Sequence, residues 1–237
     1  MDKDKVSPKV HKEDGSQGDL CLEHVRIGFD VKGCVGDIAG LCACLDLHDA
    51  LLAGWSLGSL IALESFVSLR ERLAGLVLIA GTPRFTQGDG FPYGLSRLEV
   101  DGMTRKVQRS LRRALEGFAG RMFAPGELDD PSLAAMVAEL LAVVPMPTAA
   151  VALQALDVLV ETDLRDLLPL IDLPTLVMNG DSDVICLPRA SEYMAGQIST
   201  ARQIVFTGCG HAPFLTQSTG FNACLEDFRG MVSGREH

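Results

Sequence analysis

The stretch Leu51–Leu60 (LLAGWSLGSL) changes from an apolar run into a helical pattern across the pentapeptide GWSLG at 54–58. A serine nucleophile needs exposure, a nearby base and a hydrogen-bond donor for the developing oxyanion. A sharp strand-to-helix turn lifts the hydroxyl above the sheet edge, and it brings the backbone on either side of the serine close together. We therefore predict that Ser56 is a nucleophile, and that Gly54 and Gly58 are present because only very small residues fit there.

The pattern along the rest of the chain predicts an α/β fold. Buried strands are predicted at 50–53, 75–80, 173–178 and 202–206, and helices at 35–47, 57–69, 187–197 and 219–232. Apolar strands that alternate with helices form a parallel sheet covered on both faces. The segment between strands two and three reads as three or four helices. We predict a disordered lead at 1–19, a core at 20–81 and 163–237, and a helical lid at 82–162.

A general acid–base pair is predicted at the carboxyl ends of the last two strands. Asn-Gly-Asp-Ser-Asp at 179–183 follows the third strand, and Gly-Cys-Gly-His-Ala-Pro-Phe at 208–214 follows the fourth. Loops at this edge of a parallel sheet are where α/β proteins bind ligands. His211 would take the proton of Ser56, and a carboxylate would hold the imidazole in the correct tautomer. Asp183 is favoured for that role, with Asp181 as the alternative.

Composition and charge restrict the classes of function. The net charge of −10 argues against a general nucleic-acid binder, which needs a basic surface. No stretch approaches the ~18 apolar residues of a membrane span, so we expect a cytoplasmic protein with no membrane association. The seven cysteines are scattered without a Cys-x-x-Cys pair and are expected to be reduced thiols. The dispersed histidines and the absence of a nucleotide-binding motif predict neither a metal nor another cofactor.

With these motifs the chain resembles the α/β-hydrolase superfamily, and more closely the pimeloyl-acyl-carrier-protein methyl ester esterases of biotin synthesis. The resemblance covers about residues 35–232. The segments that carry it are AGWSLGS (53–59), LVLIAGTPRF (76–85), VPMPT (144–148), TDLRDLLPLIDLPTLVMNGDSDVICLP (162–188) and GHAPFL (210–215).

This resemblance implies a serine carboxylesterase that removes a methyl ester from a pimeloyl chain carried on acyl carrier protein. It implies Ser56 as nucleophile, Asp183 as acid and His211 as base, with an acyl-enzyme formed on Ser56. It further implies that the Leu57 N–H donates to the oxyanion, and that Trp55 lies beside the acyl pocket.

The chain departs from the family pattern before the nucleophile. Family members carry about twice as much sequence there, including early strands and a His-Gly loop that donates the second oxyanion hydrogen bond. No His-Gly pair precedes Ser56 in this sequence, in which His11, His24 and His48 are followed by Lys, Val and Asp. The early strands are therefore expected to be absent. Loss of one oxyanion donor typically lowers the rate by about 10²–10³.

Residues 97–121 hold seven basic and three acidic side chains, a net charge of +4 in a chain of −10. Arg105, Arg109, Arg112 and Arg113 are predicted to share one helical face, opposite an apolar stripe. Such a face could steer an acidic carrier protein to the site. The alternative is that it is only the solvated side of a helix.

Three functional hypotheses follow. The first is an esterase specific for the carrier-linked methyl ester, and the second is a general hydrolase of small esters. The third is a catalytically impaired protein of the same fold that lacks a complete oxyanion hole.

Overall fold

A computed structural model describes residues 28–234. The predicted disordered lead at 1–19 lies outside the described residues. A parallel sheet of four strands forms the centre of the described part. In spatial order the strands are β1 (Ala50–Trp55), β2 (Leu73–Ile79), β3 (Thr175–Gly180) and β4 (Ala201–Phe206). Because all four run in the same direction, the loops that follow them meet at one edge of the sheet, as predicted.

Helices connect and cover the strands. In chain order they are α1 (Val31–Cys44), α2 (Leu57–Leu69), α3 (Arg97–Arg109), α4 (Leu111–Arg121), α5 (Pro131–Val143), α6 (Ala149–Glu161), α7 (Pro188–Gln197), α8 (Pro213–Thr216) and α9 (Ser218–Ser233). Short 3₁₀ segments lie at Arg70–Arg72 and Arg165–Leu170.

Two apolar clusters show that the sheet is covered on both faces. Leu76 and Leu78 of β2 pack in one cluster, together with α2 and α7. Val77, between them, packs on the opposite face in a cluster that contains Phe221 and Phe228 of α9. Successive residues of a strand point to opposite faces, so the continuous apolar run in β2 supplies both clusters. The predicted α/β fold is confirmed.

β1 lies at an edge of this sheet and pairs only with β2 among the described residues. A cavity of about 290 Å³ lies at this edge, between α1, β1 and α2. Its lining includes Leu52, Ala53, Gly58, Ile61 and Ala62. The active-site loops are not part of this lining, so the cavity marks the edge of the sheet rather than the catalytic centre.

The four helices α3–α6 form an insertion between β2 and β3. The single helix that the shared face of the four arginines and its opposite apolar stripe would require is wrong. Ser110 is extended (φ −165°, ψ 100°) and separates α3 from α4, and its side chain accepts a hydrogen bond from the Arg113 N–H. Serine side chains compete with the helix for backbone groups and favour such caps. The four arginines are therefore on two helices, and their predicted single helical face does not exist.

Two features concern the expected thiols and the membrane. Cys44 is disulfide-bonded, so the expectation of seven reduced thiols is wrong at this residue, whereas Cys42, Cys186, Cys209 and Cys224 are free thiols. No helix between residues 28 and 234 is both long and apolar enough to cross a membrane.

Candidate active site

The turn between β1 and α2 places Ser56 in a strained conformation. Its φ of 55° and ψ of −121° lie in a region that residues with a side chain rarely adopt. At Gly54 a Cβ atom would lie 2.2 Å from the Gly58 carbonyl oxygen, so the predicted steric requirement is confirmed there. At Gly58, apart from its chain neighbours and the backbone of α2 itself, nothing in the described residues lies within 4 Å of the corresponding position, so the same prediction is wrong for Gly58.

Asp183 and His211 form a buried pair at the carboxyl edge of the sheet. The imidazole Nδ1 lies 2.7 Å from Asp183 Oδ2, and neither side chain is exposed. Asp183 Oδ1 accepts hydrogen bonds from the Ile185 and Cys186 backbone N–H groups at 2.8 and 3.1 Å. These donors fix the carboxylate, which in turn fixes the ring.

The alternative carboxylate, Asp181, does not contact His211. Its Oδ1 accepts from the Gly208 N–H and the Ser182 hydroxyl, both at 2.9 Å. It therefore stabilises the turn that begins the histidine loop. The structure brings Asp183, rather than Asp181, to the imidazole.

The second ring nitrogen, Nε2 of His211, is buried and has no hydrogen-bond partner among the described residues. Cys186, whose N–H bonds Asp183, carries a buried thiol that the sequence motifs did not single out. Burial raises the pKa of this thiol well above its usual range, and the Asp183 charge adds to the effect, whereas the Ser56 hydroxyl opposes it. The thiol is thus protonated at neutral pH. Ser56 and His211 are not hydrogen-bonded in this geometry, which is common in unliganded active sites.

Trp55 packs against the histidine loop. Its indole N–H donates to the His211 carbonyl oxygen at 2.9 Å, and its ring lies 5.5 Å from the imidazole and 5.1 Å from Phe214. Leu57 is the first residue of α2, where backbone N–H groups have no partner within the helix. Its N–H is therefore free of hydrogen bonding within the helix.

The insertion covers this edge of the sheet. The ring of Phe118 on α4 lies 6.4 Å from that of His211. A third apolar cluster joins Val100 and Met122 of the insertion to Ile185, Cys186 and Ala212 of the strand-end loops, with Trp55 packed against it. The surroundings of the histidine are thus apolar on the side of the insertion.

The basic residues of the insertion lie on its surface. Arg105 and Arg109 are exposed on α3, and Arg112 and Arg113 are exposed on α4. Within the described part of the chain none of the four takes part in an ion pair. Residues 28–234 contain no group of three His, Cys, Asp or Glu side chains that could hold a metal ion.

Comparison with known proteins agrees with this arrangement. Residues 18–223 match the model of the alpha/beta hydrolase family. The pimeloyl-[acyl-carrier protein] methyl ester esterase of Nitrosomonas europaea is 31% identical over 175 residues, which are 74% of this chain and 69% of the relative. The esterase of the same name from Stenotrophomonas maltophilia strain K279a is 32% identical over 78% of this chain and 70% of its own length.

Solved structures give the same result. An esterase from Exiguobacterium antarcticum superposes with a TM-score of 0.76 at 30% identity, covering 85% of this chain and 74% of that one. A bromoperoxidase from Bacillus anthracis, at 21% identity and a TM-score of 0.77, shares the fold over 86% of this chain and 75% of its own. The chain therefore belongs to the alpha/beta hydrolase family, and within it the chain is a carboxylic ester hydrolase.

Proposed function

We propose that this protein hydrolyses the methyl ester of a pimeloyl chain carried on acyl carrier protein, through an acyl-enzyme on Ser56. The observation that carries the catalytic part is the buried Asp183–His211 pair, at 2.7 Å, in the loops that follow the strands beside the Ser56 turn. The relatives named pimeloyl-[acyl-carrier protein] methyl ester esterase, at 31% and 32% identity, support this substrate.

In the proposed reaction, Ser56 Oγ attacks the ester carbonyl carbon while His211 Nε2 accepts the hydroxyl proton. The oxygen of the tetrahedral intermediate becomes negatively charged, and the Leu57 N–H donates to it. The C–O bond to the methoxy group then breaks, and His211 returns its proton so that methanol leaves. A water molecule, deprotonated by His211, next attacks the acyl-enzyme carbonyl; the C–Oγ bond breaks, His211 returns the proton to Ser56 Oγ, and the acyl chain leaves with a free carboxyl group.

Two features of the resting site bear on this mechanism. Asp183 is held by two backbone N–H groups, so it can stabilise the imidazolium without changing position. The Ser56 hydroxyl must form a hydrogen bond to His211 Nε2 before attack, since the two are not bonded in the resting site. Because Nε2 has no other partner in the described chain, substrate binding has no competing hydrogen bond to break at the imidazole.

We further propose that the insertion is a lid that contacts both parts of the substrate. Its inner side supplies apolar side chains near the imidazole, among them Phe118, and these suit a hydrocarbon chain. Trp55, packed in the same cluster, would border the acyl pocket. On the outer side Arg105, Arg109, Arg112 and Arg113 present positive charge to an acidic carrier protein.

The first test is intact-mass analysis after treatment with a fluorophosphonate, comparing wild type with Ser56→Ala. We expect one label per molecule in the wild type and none in the variant. Methanol release from the carrier-linked ester should then be measured for both proteins. A folded wild type that neither labels nor turns over would support the catalytically impaired protein and end the esterase proposal. Labelling with equal turnover of carrier-linked and free esters would support the general hydrolase.

A further inference from the structure

We infer that Glu127 is a positioning residue for His211, and that it ties the insertion to the catalytic histidine loop. This inference rests on the proposed function, because it assigns Glu127 a role through His211. Glu127 lies in the turn between α4 and α5, outside every motif identified from the sequence. It belongs to the insertion rather than to the sheet.

The Glu127 carboxylate collects three hydrogen bonds from two separate parts of the chain. Its Oε2 accepts from the Gly210 N–H at 2.8 Å and from the Ala124 N–H at 2.6 Å. Its Oε1 accepts from the Thr216 hydroxyl of α8 at 2.5 Å. Hydrogen bonds to a carboxylate are about twice as strong as those between neutral groups. One side chain of the insertion therefore holds the residue before His211 and the helix that follows it.

Backbone contacts beside Glu127 hold the same loop. The His211 N–H donates to the Met122 carbonyl oxygen at 2.6 Å. A Cβ atom on Gly210 would lie 2.4 Å from that same oxygen, so the loop and the 122–124 segment touch backbone to backbone. Gly180 approaches from the other side, where a Cβ atom would lie 2.2 Å from the Gly210 carbonyl oxygen. The position of His211 is thus set jointly by β3 and by the insertion.

Rigid placement matters for this histidine because its ring must serve two partners. Nδ1 is bonded to Asp183, and Nε2 has to reach Ser56, to which it is not yet bonded. A displacement of about 1 Å in a catalytic group can reduce the rate by about 10²-fold. Removing the Glu127 carboxylate leaves the Gly210 and Ala124 N–H groups without their acceptor and allows the loop to move.

The test measures turnover per active site in Glu127→Ala, Glu127→Gln and Thr216→Val, with fluorophosphonate stoichiometry counting the intact sites. For Glu127→Ala we expect kcat per labelled site and the labelling rate to fall by about 10²-fold, with KM changed by less than about twofold. Glu127→Gln should recover most of the loss. Its amide oxygen can accept the two backbone bonds, and its NH₂ can donate to the Thr216 hydroxyl. Thr216→Val should give an intermediate loss.

The matched control is Glu139→Ala, which removes an exposed carboxylate from α5 of the same insertion and should behave like wild type. A merely structural role for Glu127 would reduce the number of labelled sites while leaving kcat per site unchanged, and that result would overturn the inference. Thr216→Val keeps the test decisive if Glu127→Ala folds poorly, because wild-type turnover per labelled site in Thr216→Val would also contradict the inference. A wild type that is not labelled at Ser56 would instead refute the proposed function.

Discussion

Ser56 is held in its strained backbone conformation by close contact on the Gly54 side of the turn. The backbone of α2 passes so near Gly54 that no side chain fits there, and the Ser56 N–H donates to the Ile79 carbonyl oxygen at 2.9 Å. Gly58 borders the cavity beside β1 instead. Sequence alone predicts that both glycines are required, because it cannot show which neighbours surround each one. The difference arises because, among residues 28–234, a cavity rather than a neighbouring strand lies on the Gly58 side of β1.

Replacement of these glycines should therefore give opposite results. Gly54→Ala is expected to abolish Ser56 labelling and to destabilise the fold, since its Cβ would meet backbone at 2.2 Å. Gly58→Ala should keep labelling and raise the free energy of unfolding by about 0.4–1 kcal/mol, because alanine restricts the unfolded chain and favours a helix. Urea unfolding combined with fluorophosphonate labelling measures both effects. Loss of labelling in Gly58→Ala would contradict this expectation, because it would show that a methyl group at position 58 does not fit beside the cavity.

Asp183 and His211 were predictable from the order of motifs along the chain, because parallel strands bring the loops after them to one edge. Glu127 and Cys186 were not predictable, since their contacts depend on how the insertion and the 183–187 loop fold back on that edge. Glu127, for example, accepts a hydrogen bond from Gly210, which lies 83 positions further along the chain. No local spacing signals such a contact.

At the scale of the elements, the two ends of the insertion are joined by one charged cluster. Asp163, near the start of the 3₁₀ segment that leads back to β3, receives a two-pronged hydrogen bond from Arg165 at 2.8 Å. Arg84, just after β2, bonds the same carboxylate at 3.0 Å. The Leu164 N–H also donates to the Pro83 carbonyl oxygen at 2.8 Å. The cluster joins the two ends of the insertion, which together form its base beside the sheet.

Asp163→Asn should destabilise the protein by about 1 kcal/mol, since the carboxylate is about one third exposed and solvent weakens its bonds. The Arg165 hydrogen bond lowers the pKa of Asp163 below its usual value of 3.8, and Arg84 acts in the same direction. The stabilisation is therefore present above pH 3.8 and is lost as the pH falls through the lowered pKa. Urea unfolding at pH 7 and pH 3 should show the variant approaching wild type at pH 3.

Asp166→Asn, at an exposed carboxylate in the same 3₁₀ segment, is the control and should differ little from wild type at either pH. An Asp163→Asn variant equal to wild type at pH 7 would mean that the cluster does not stabilise the base of the insertion.

Helix and strand positions followed from the sequence with errors of a few residues, because apolar period and turn residues agree locally. The predicted and observed α2 coincide at residues 57–69. The exception is the break at Ser110, where apolar spacing continues through a residue that caps α4. The spacing of apolar residues indicates which side of the chain is buried. Here that spacing continues unchanged across Ser110, although the backbone is not helical at this residue. The capping hydrogen bond, rather than hydrophobicity, decides that boundary.

At the scale of the whole molecule, an acidic chain carries one basic segment, residues 97–121. The net charge of −10 repels an acidic carrier at long range, whereas residues 97–121 carry +4 and attract it close to the surface. Charges separated by more than about 8 Å are largely screened at physiological ionic strength. Attraction by the arginines should therefore act only when the carrier is near the insertion, and it should orient the carrier rather than capture it from a distance.

A double variant, Arg112→Glu with Arg113→Glu, tests this arrangement. At low ionic strength we expect kcat/KM for the carrier-linked ester to fall about tenfold, because two attractive charges on α4 become repulsive. The loss should shrink as KCl rises from about 20 to about 500 mM, because salt screens both the attraction in the wild type and the repulsion in the variant. Hydrolysis of the free methyl ester should be unchanged at every salt concentration. Arg202→Glu with Arg229→Glu, at exposed arginines on β4 and α9, makes the same change in net charge away from the insertion and is the matched control. An equal loss on both esters, or a loss that salt does not reduce, would mean that these arginines do not contact the carrier and would favour the general hydrolase of small esters.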